Sequence, residues 1–151
     1  MPAGSLAKPN AIDVLTVAQG MKPLVLRAAL GFEVTDGGKA GRMPSQLAGK
    51  LYQTGDGLSM RHLRKDGVQI ELLQYDTQGK SAKRALNQLG LSHLSLRVDD
   101  VDRVSAIIQK NGGAVMDQTR IKIGAPGKGS QITYCTDPDG SGLALIGPLN
   151  G

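Results

Sequence analysis

His93-Leu94-Ser95-Leu96-Arg97-Val98-Asp99-Asp100-Val101-Asp102 is the stretch on which the fold turns. The run Leu91–Val98 reads as a strand. Asp99 or Asp100 then offers a side-chain oxygen to cap a helix. That helix carries apolar residues at Val101, Val104, Ile107 and Ile108, a helical spacing, and Asn111-Gly112-Gly113 closes it. Ala114–Met116 reads as a short strand and Gln131–Thr136 as another. Asp137-Pro138-Asp139-Gly140 is a turn, and Leu143–Leu149 is the last strand.

The same order stands upstream. Ile12–Val17 (IDVLTV) is a short β-branched strand that aligns with HLSLRV. Gln19–Leu30 has helical apolar spacing at Met21, Leu24, Val25, Ala28 and Ala29, with Pro23 in its first turn and Gly31 at its end. Phe32-Glu33-Val34 starts a second strand. Leu58–Arg64 and Val68–Tyr75 are two more, joined at Lys65-Asp66-Gly67, and Asp-Gly is the type I′ hairpin signal. Lys39–Gly57 has no clear period, and Leu47 and Leu51 mark a partial strand or a lid loop there. Residues 1–10 read as a flexible tail. Residues 77–90 read as a polar linker with a helical turn around Lys83–Leu89. The expected organisation is one α+β domain of two βαβββ modules, 11–76 and 91–149. Two copies are too few for a solenoid, so two open sheets that each need a partner face are expected.

Composition narrows the class. The 151 residues suit a single domain, and 40% hydrophobic with 21% charged residues is ordinary for a globular chain. Aromatic residues are 3%, so Leu, Ile, Val, Ala and Met must build the core, with Met21, Met43, Met60 and Met116 as filler. A net charge of +5 reads first as a plain solvated surface, with an anionic small-molecule substrate as the next reading. The cations are scattered without interleaved aromatics, so nucleic acid is not expected. No apolar run is long enough to span a bilayer, and no membrane partner is expected. One cysteine, Cys135, rules out an internal disulfide and fits a reducing, cytoplasmic setting; its place in Ile132-Thr133-Tyr134-Cys135 reads as a buried strand.

Residues His93 to Asp102 look like the opening of a second module of the vicinal-oxygen-chelate superfamily, which includes glyoxalases, bleomycin-resistance proteins and extradiol dioxygenases. Asp137-Pro138-Asp139-Gly140 before an apolar strand resembles its close, Leu30-Gly31-Phe32 its helix-to-strand corner, and Ile70-Glu71-Leu72-Leu73 its fourth strand. The resemblance covers residues 11 to 149. It implies paired modules forming a rolled mixed sheet around a central cavity, a homodimer, and a divalent metal held by the first and last strand of each module. Carried over by position, the resemblance supplies His93 and Glu71 as ligands. The other two places hold Ile12 and Ala144, which cannot bind metal, so standard glyoxalase chemistry is not expected.

The hairpin suggests a replacement. A two-residue turn at Asp66-Gly67 pairs Lys65 with Val68 and, counting back, His62 with Glu71. If His93 faces the same cavity, His62, Glu71 and His93 form a two-His-one-carboxylate set suited to Fe, Mn or Zn, with Ni as a further candidate. Without metal, the three remain candidates for acid–base work or polar lining. Arg64, on the His62 face, and Tyr134 and Lys128 are candidate substrate contacts; Arg61 is expected at the surface. GAPGKGS lacks phosphate-loop spacing and reads as a mobile loop at the cavity mouth. Two functions follow from the resemblance. One is a glyoxalase-like enzyme of isomerase, lyase or ring-opening type centred on Glu71 and His93. The other is a non-catalytic protein that sequesters a small molecule.

Overall fold

The computed structural model describes residues 12–16, 23, 25–79 and 85–149. The expected tail, the start of the first helix with Met21, and the linker residues around Lys83 lie outside the described residues.

β1 (Ile12–Thr16) leads to a π-helical turn, Val25–Ala29. Gly31 ends this turn at φ 71°, a conformation that favours glycine, and a Cβ there would lie 3.3 Å from the Lys65 ammonium, a tight contact. β2 (Glu33–Val34), β3 (Gly41–Met43) and α1 (Ser45–Tyr52) follow, then the long hairpin β4 (Leu58–Lys65) and β5 (Val68–Tyr75). The hairpin turn is type I′: Asp66 and Gly67 have φ of 48° and 81°. β6 (Leu94–Arg97) precedes α2 (Val101–Lys110), whose N-cap Asp100 accepts a 2.9 Å bond from the Arg103 amide. β7 (Ala114–Ile123), β8 (Ser130–Thr136) and β9 (Gly142–Pro148) complete the chain.

The strands form two sheets, ordered β1-β5-β4-β2 and β6-β9-β8-β7, with β3 also on β4. In each, the first strand runs parallel to the last and the others are antiparallel. The internal repeat is thus real at the level of topology. The fold is mixed α+β, as expected, but its two sheets stay open instead of rolling into one closed wall. One core joins the modules: Phe32, Leu63, Ile70 and Leu72 share a cluster with Val104, Ile108, Leu143 and Leu145.

Two elements differ from expectation. Residues 39–57 hold the short strand β3, but Leu47 and Leu51 mark neither a partial strand nor a lid loop: both lie on α1. Met43, Ala48, Leu58 and Leu73 bury together, with Tyr52, Met60 and Tyr75 around them, and this small second core pulls 45–52 into a helix on the sheet. β7 runs ten residues, far past Met116. Its pairing with β8 jumps from Met116↔Tyr134 to Ile121↔Ile132, a bulge in which the Thr119 hydroxyl accepts from the Tyr134 amide at 2.9 Å.

Candidate functional site

Alternation along the β4–β5 hairpin puts Leu63, Ile70 and Leu72 on the core face. The opposite face therefore carries His62 and Glu71, which are direct register partners. His62 Nε2 lies 3.3 Å from Glu71 Oε1. The Glu71 side chain is 17% exposed and that of His62 46%. The carboxylate is thus sheltered while the imidazole meets solvent. On one side of the pair the next rung is Met60↔Leu73, where the α1 core begins. On the other it is Arg64↔Gln69, with the guanidinium against the Gln69 amide. The result is an open sheet face, covered at one end. The packed end under α1 holds an edge-to-face Tyr52–Tyr75 pair with centroids 6.1 Å apart, and the far end is polar. Burial pushes the Tyr75 hydroxyl above its usual pKa, with Tyr52 adding to the effect.

The second sheet holds a different group. His93 precedes β6, and its Nδ1 lies 2.7 Å from the Ser92 hydroxyl. Its ring stands edge-on to Tyr134, centroids 4.9 Å apart. Gly142 makes room, since a Cβ there would come within 3.2 Å of the His93 Cβ. Ala144 pairs with Ser95 across this sheet as Glu71 pairs with Val14 across the first, and Ala144 is buried. The repeat therefore places an apolar residue where the first module has its carboxylate.

The three-residue set His62, Glu71 and His93 is not assembled. Among the described residues no three His, Cys, Asp or Glu form a group that could hold a metal ion. The Asp66-Gly67 turn pairs His62 with Glu71 as expected, since both belong to one hairpin. The hairpin does not constrain His93, which precedes β6 of the other sheet and is engaged by Ser92 and Tyr134. The donor set therefore does not fit a divalent metal.

Other expected contacts lie elsewhere. Arg64 is exposed beside Glu71's rung, and Tyr134 belongs to the His93 group. Lys128 is exposed in the loop between β7 and β8; that loop is tied to the chain end by Gly127 donating to the Leu149 carbonyl and Leu149 donating to that of Gly129. Arg61 is not a solvated surface residue. It pairs with Asp36 at 3.1 Å, with only 13% and 9% of the two side chains exposed. Cys135 is buried, and burial raises its thiol pKa, which suits a structural thiol. Sequence reasoning missed α1, Ser92 and the Arg42–Asp76 ion pair between β3 and the end of β5. Leu47, Ala48, Leu51 and Tyr52 after Pro44 were the available helical signal.

The Glyoxalase/Bleomycin resistance protein/Dioxygenase superfamily profile matches residues 25–134. Among solved structures, a glyoxalase family protein from Bacillus cereus is similar at 14% identity and a TM-score of 0.76, covering 99% of each chain. A glyoxylase/bleomycin resistance protein/dioxygenase domain from Frankia sp. EAN1pec is 19% identical with a TM-score of 0.64, covering 97% of this chain and 96% of that one. A glyoxalase I mutant from Zea mays is 17% identical with a TM-score of 0.55, covering 91% of this chain and 46% of that one. At these identities the likeness is one of fold. No curated protein matches the chain. Among the described residues no helix is long and apolar enough to cross a membrane.

Proposed function

The chain belongs to the Glyoxalase/Bleomycin resistance protein/Dioxygenase superfamily, and we propose that it is a metal-independent enzyme acting on a small oxygenated molecule by proton transfer at Glu71. The observation that carries this reading is the sheltered Glu71 carboxylate held 3.3 Å from His62 on an open sheet face. In this scheme Glu71 removes a proton from the carbon beside a substrate carbonyl. His62 steadies the carboxylate and hydrogen-bonds the oxygen on which negative charge grows. Once the proton on Glu71 has exchanged with solvent, its delivery to the same carbon gives isotope exchange, and delivery to the neighbouring carbon, with the hydroxyl proton passing to the former carbonyl oxygen, gives isomerisation. Arg64 supplies a positive charge for an anionic substrate. Members of the superfamily often bind a divalent metal. The Fe, Mn, Zn or Ni considered above would need a donor set that the described residues do not form, so no step runs through one. We place the chain in the cytoplasm as a homodimer, a reading supported by its single buried thiol and by the exposed Leu47 and Leu51 on α1.

The experiment is deuterium exchange in D2O across a panel of α-hydroxyketones, β-ketoacids and thiol–ketoaldehyde hemithioacetals. We expect protein-dependent loss of the α-proton signal, reduced about 100-fold or more in Glu71→Gln. Stoichiometric metal in untagged, chelator-free protein would overturn the metal-independent scheme. A second reading is favoured by one observation, the buried Ala144 opposite Ser95: sequestration of a small molecule without turnover. Ligand-induced thermal stabilisation with no exchange in any member of the panel would decide for it.

A further inference from the structure

A cleft of about 240 Å³ lies away from the His62–Glu71 rung, where the tip of the β4–β5 hairpin meets β6. Its apolar lining comes from Leu30, Phe32 and Val68 on the first module and from Leu96 and Val98 on the second. Lys65, Asp66 and Arg97 bring the charges. The Lys65 ammonium is fixed, donating to the Leu30 carbonyl at 2.7 Å beside Gly31. Arg97 is exposed and has no hydrogen-bond or ion-pair partner among the described residues. β6 is an edge strand with β9 as its sheet neighbour. The Val98 amide donates toward β9, to Ile146, so by alternation the amides of Ser95 and Arg97 point to the free edge that the cleft borders. A fixed ammonium, an unpaired guanidinium and outward amides therefore surround a short apolar wall.

We propose that this cleft binds a small organic monocarboxylate. Its carboxylate sits on the Arg97 fork and the edge amides, and its hydrocarbon body sits against Leu30, Phe32 and Val68. Two cations against one Asp66 leave a single positive charge, which matches a monoanion and disfavours a dianion. The site spans both modules and contains none of the residues assigned to proton transfer, so it stands whether or not that assignment does.

The test is an amide NMR titration of the full chain with sodium hexanoate, with hexanamide as the neutral control. We expect saturable shifts at residues 65–68 and 95–98 with hexanoate at millimolar affinity, and binding by hexanamide at least about ten-fold weaker. Arg97→Gln should weaken hexanoate about ten-fold, and Asp66→Asn, at an exposed turn that suits asparagine, should tighten it about two-fold. Glu71→Gln should leave the affinity unchanged. Should Arg97→Gln disturb the fold, the Asp66→Asn and hexanamide arms still decide. Equal binding of acid and amide, no saturation, or no response to Asp66→Asn would each overturn the proposal.

Discussion

Thr133 shows how a single polar atom can work against the fold. It is fully buried on β8, and its hydroxyl has no hydrogen-bond partner among the described residues. An unsatisfied buried hydroxyl costs more than the bond it could make is worth. Thr133→Val should therefore stabilise the protein by about 1 kcal/mol in chemical denaturation; a loss of stability would mean that the hydroxyl is satisfied. Asp137 is the opposite case. Its carboxylate accepts from the amides of Asp139 at 3.0 Å and Ser141 at 2.7 Å, closing the turn before β9. Burial nevertheless raises its pKa above the usual aspartate value, and the backbone bonds only partly offset this. A raised carboxylate pKa means the folded state holds its proton more tightly than the unfolded chain. Its contribution to stability thus declines as pH rises from the unfolded pKa through the folded one. Asp137→Asn, which keeps an acceptor and removes the charge, should be at least as stable as the parent at neutral pH. Asp137→Ala should lose about 1 to 2 kcal/mol. Asp76 shifts the other way, held low chiefly by its hydrogen bond from Arg42. Its small stabilisation is present above the unfolded pKa and fades as pH falls through the folded one. In an NMR titration the Asp76 carboxyl midpoint should rise toward normal in Arg42→Gln. Glu71 and His62 were legible at this scale because the Asp-Gly turn set their register. His93's contact with Tyr134 was not, because Tyr134 lies 41 residues along the chain.

Elements with strong local signals formed where their residues placed them. Asp100 caps α2, and Val101, Val104 and Ile108 are its buried stripe. Asp100→Ala should cost about 1 kcal/mol, read from the denaturation midpoint, because the Arg103 amide loses its acceptor. Where the local signal was weak, packing decided. α1 contains Gly49, exposes Leu47 and Leu51, and has no side-chain hydrogen bond at its N-cap Pro44. Ala48 against Leu58 and Leu73 holds it, a contact invisible to periodicity alone. The extension of β7 likewise depends on Thr119, and on Arg120, which bonds Asp102 at the start of α2 and Asp117. Asp102 also accepts from Gln131 on β8 at 2.9 Å, so the bulge is tied to the helix across the sheet edge.

For the whole molecule, the shared core carries the main prediction. Ile108 and Leu145 of the second module bury completely in the same cluster as Leu63 and Ile70 of the first. The two modules should therefore unfold together as one domain. Amide signals from both sheets should lose intensity at one denaturant midpoint, and Ile108→Ala should lower that midpoint in both, at a cost of about 2 to 5 kcal/mol. Two separate midpoints would show that the modules are independent.

The repeated strand–helix–strands order, the hairpin register with its His62–Glu71 rung, and the α2 cap and stripe were determined by the sequence alone. Each rests on interactions between residues close along the chain. The tertiary structure decided which face of each sheet is buried, the helix at 45–52, the bulge in β7 and the company of His93. These depend on contacts between distant segments, whose energies appear only when the segments meet. The stretch from His93 to Asp102 shows both. Its strand and helix follow from local pattern. Yet His93 takes Tyr134 and Ser92 as neighbours instead of Glu71, because the sheets remain separate and each histidine is held within its own.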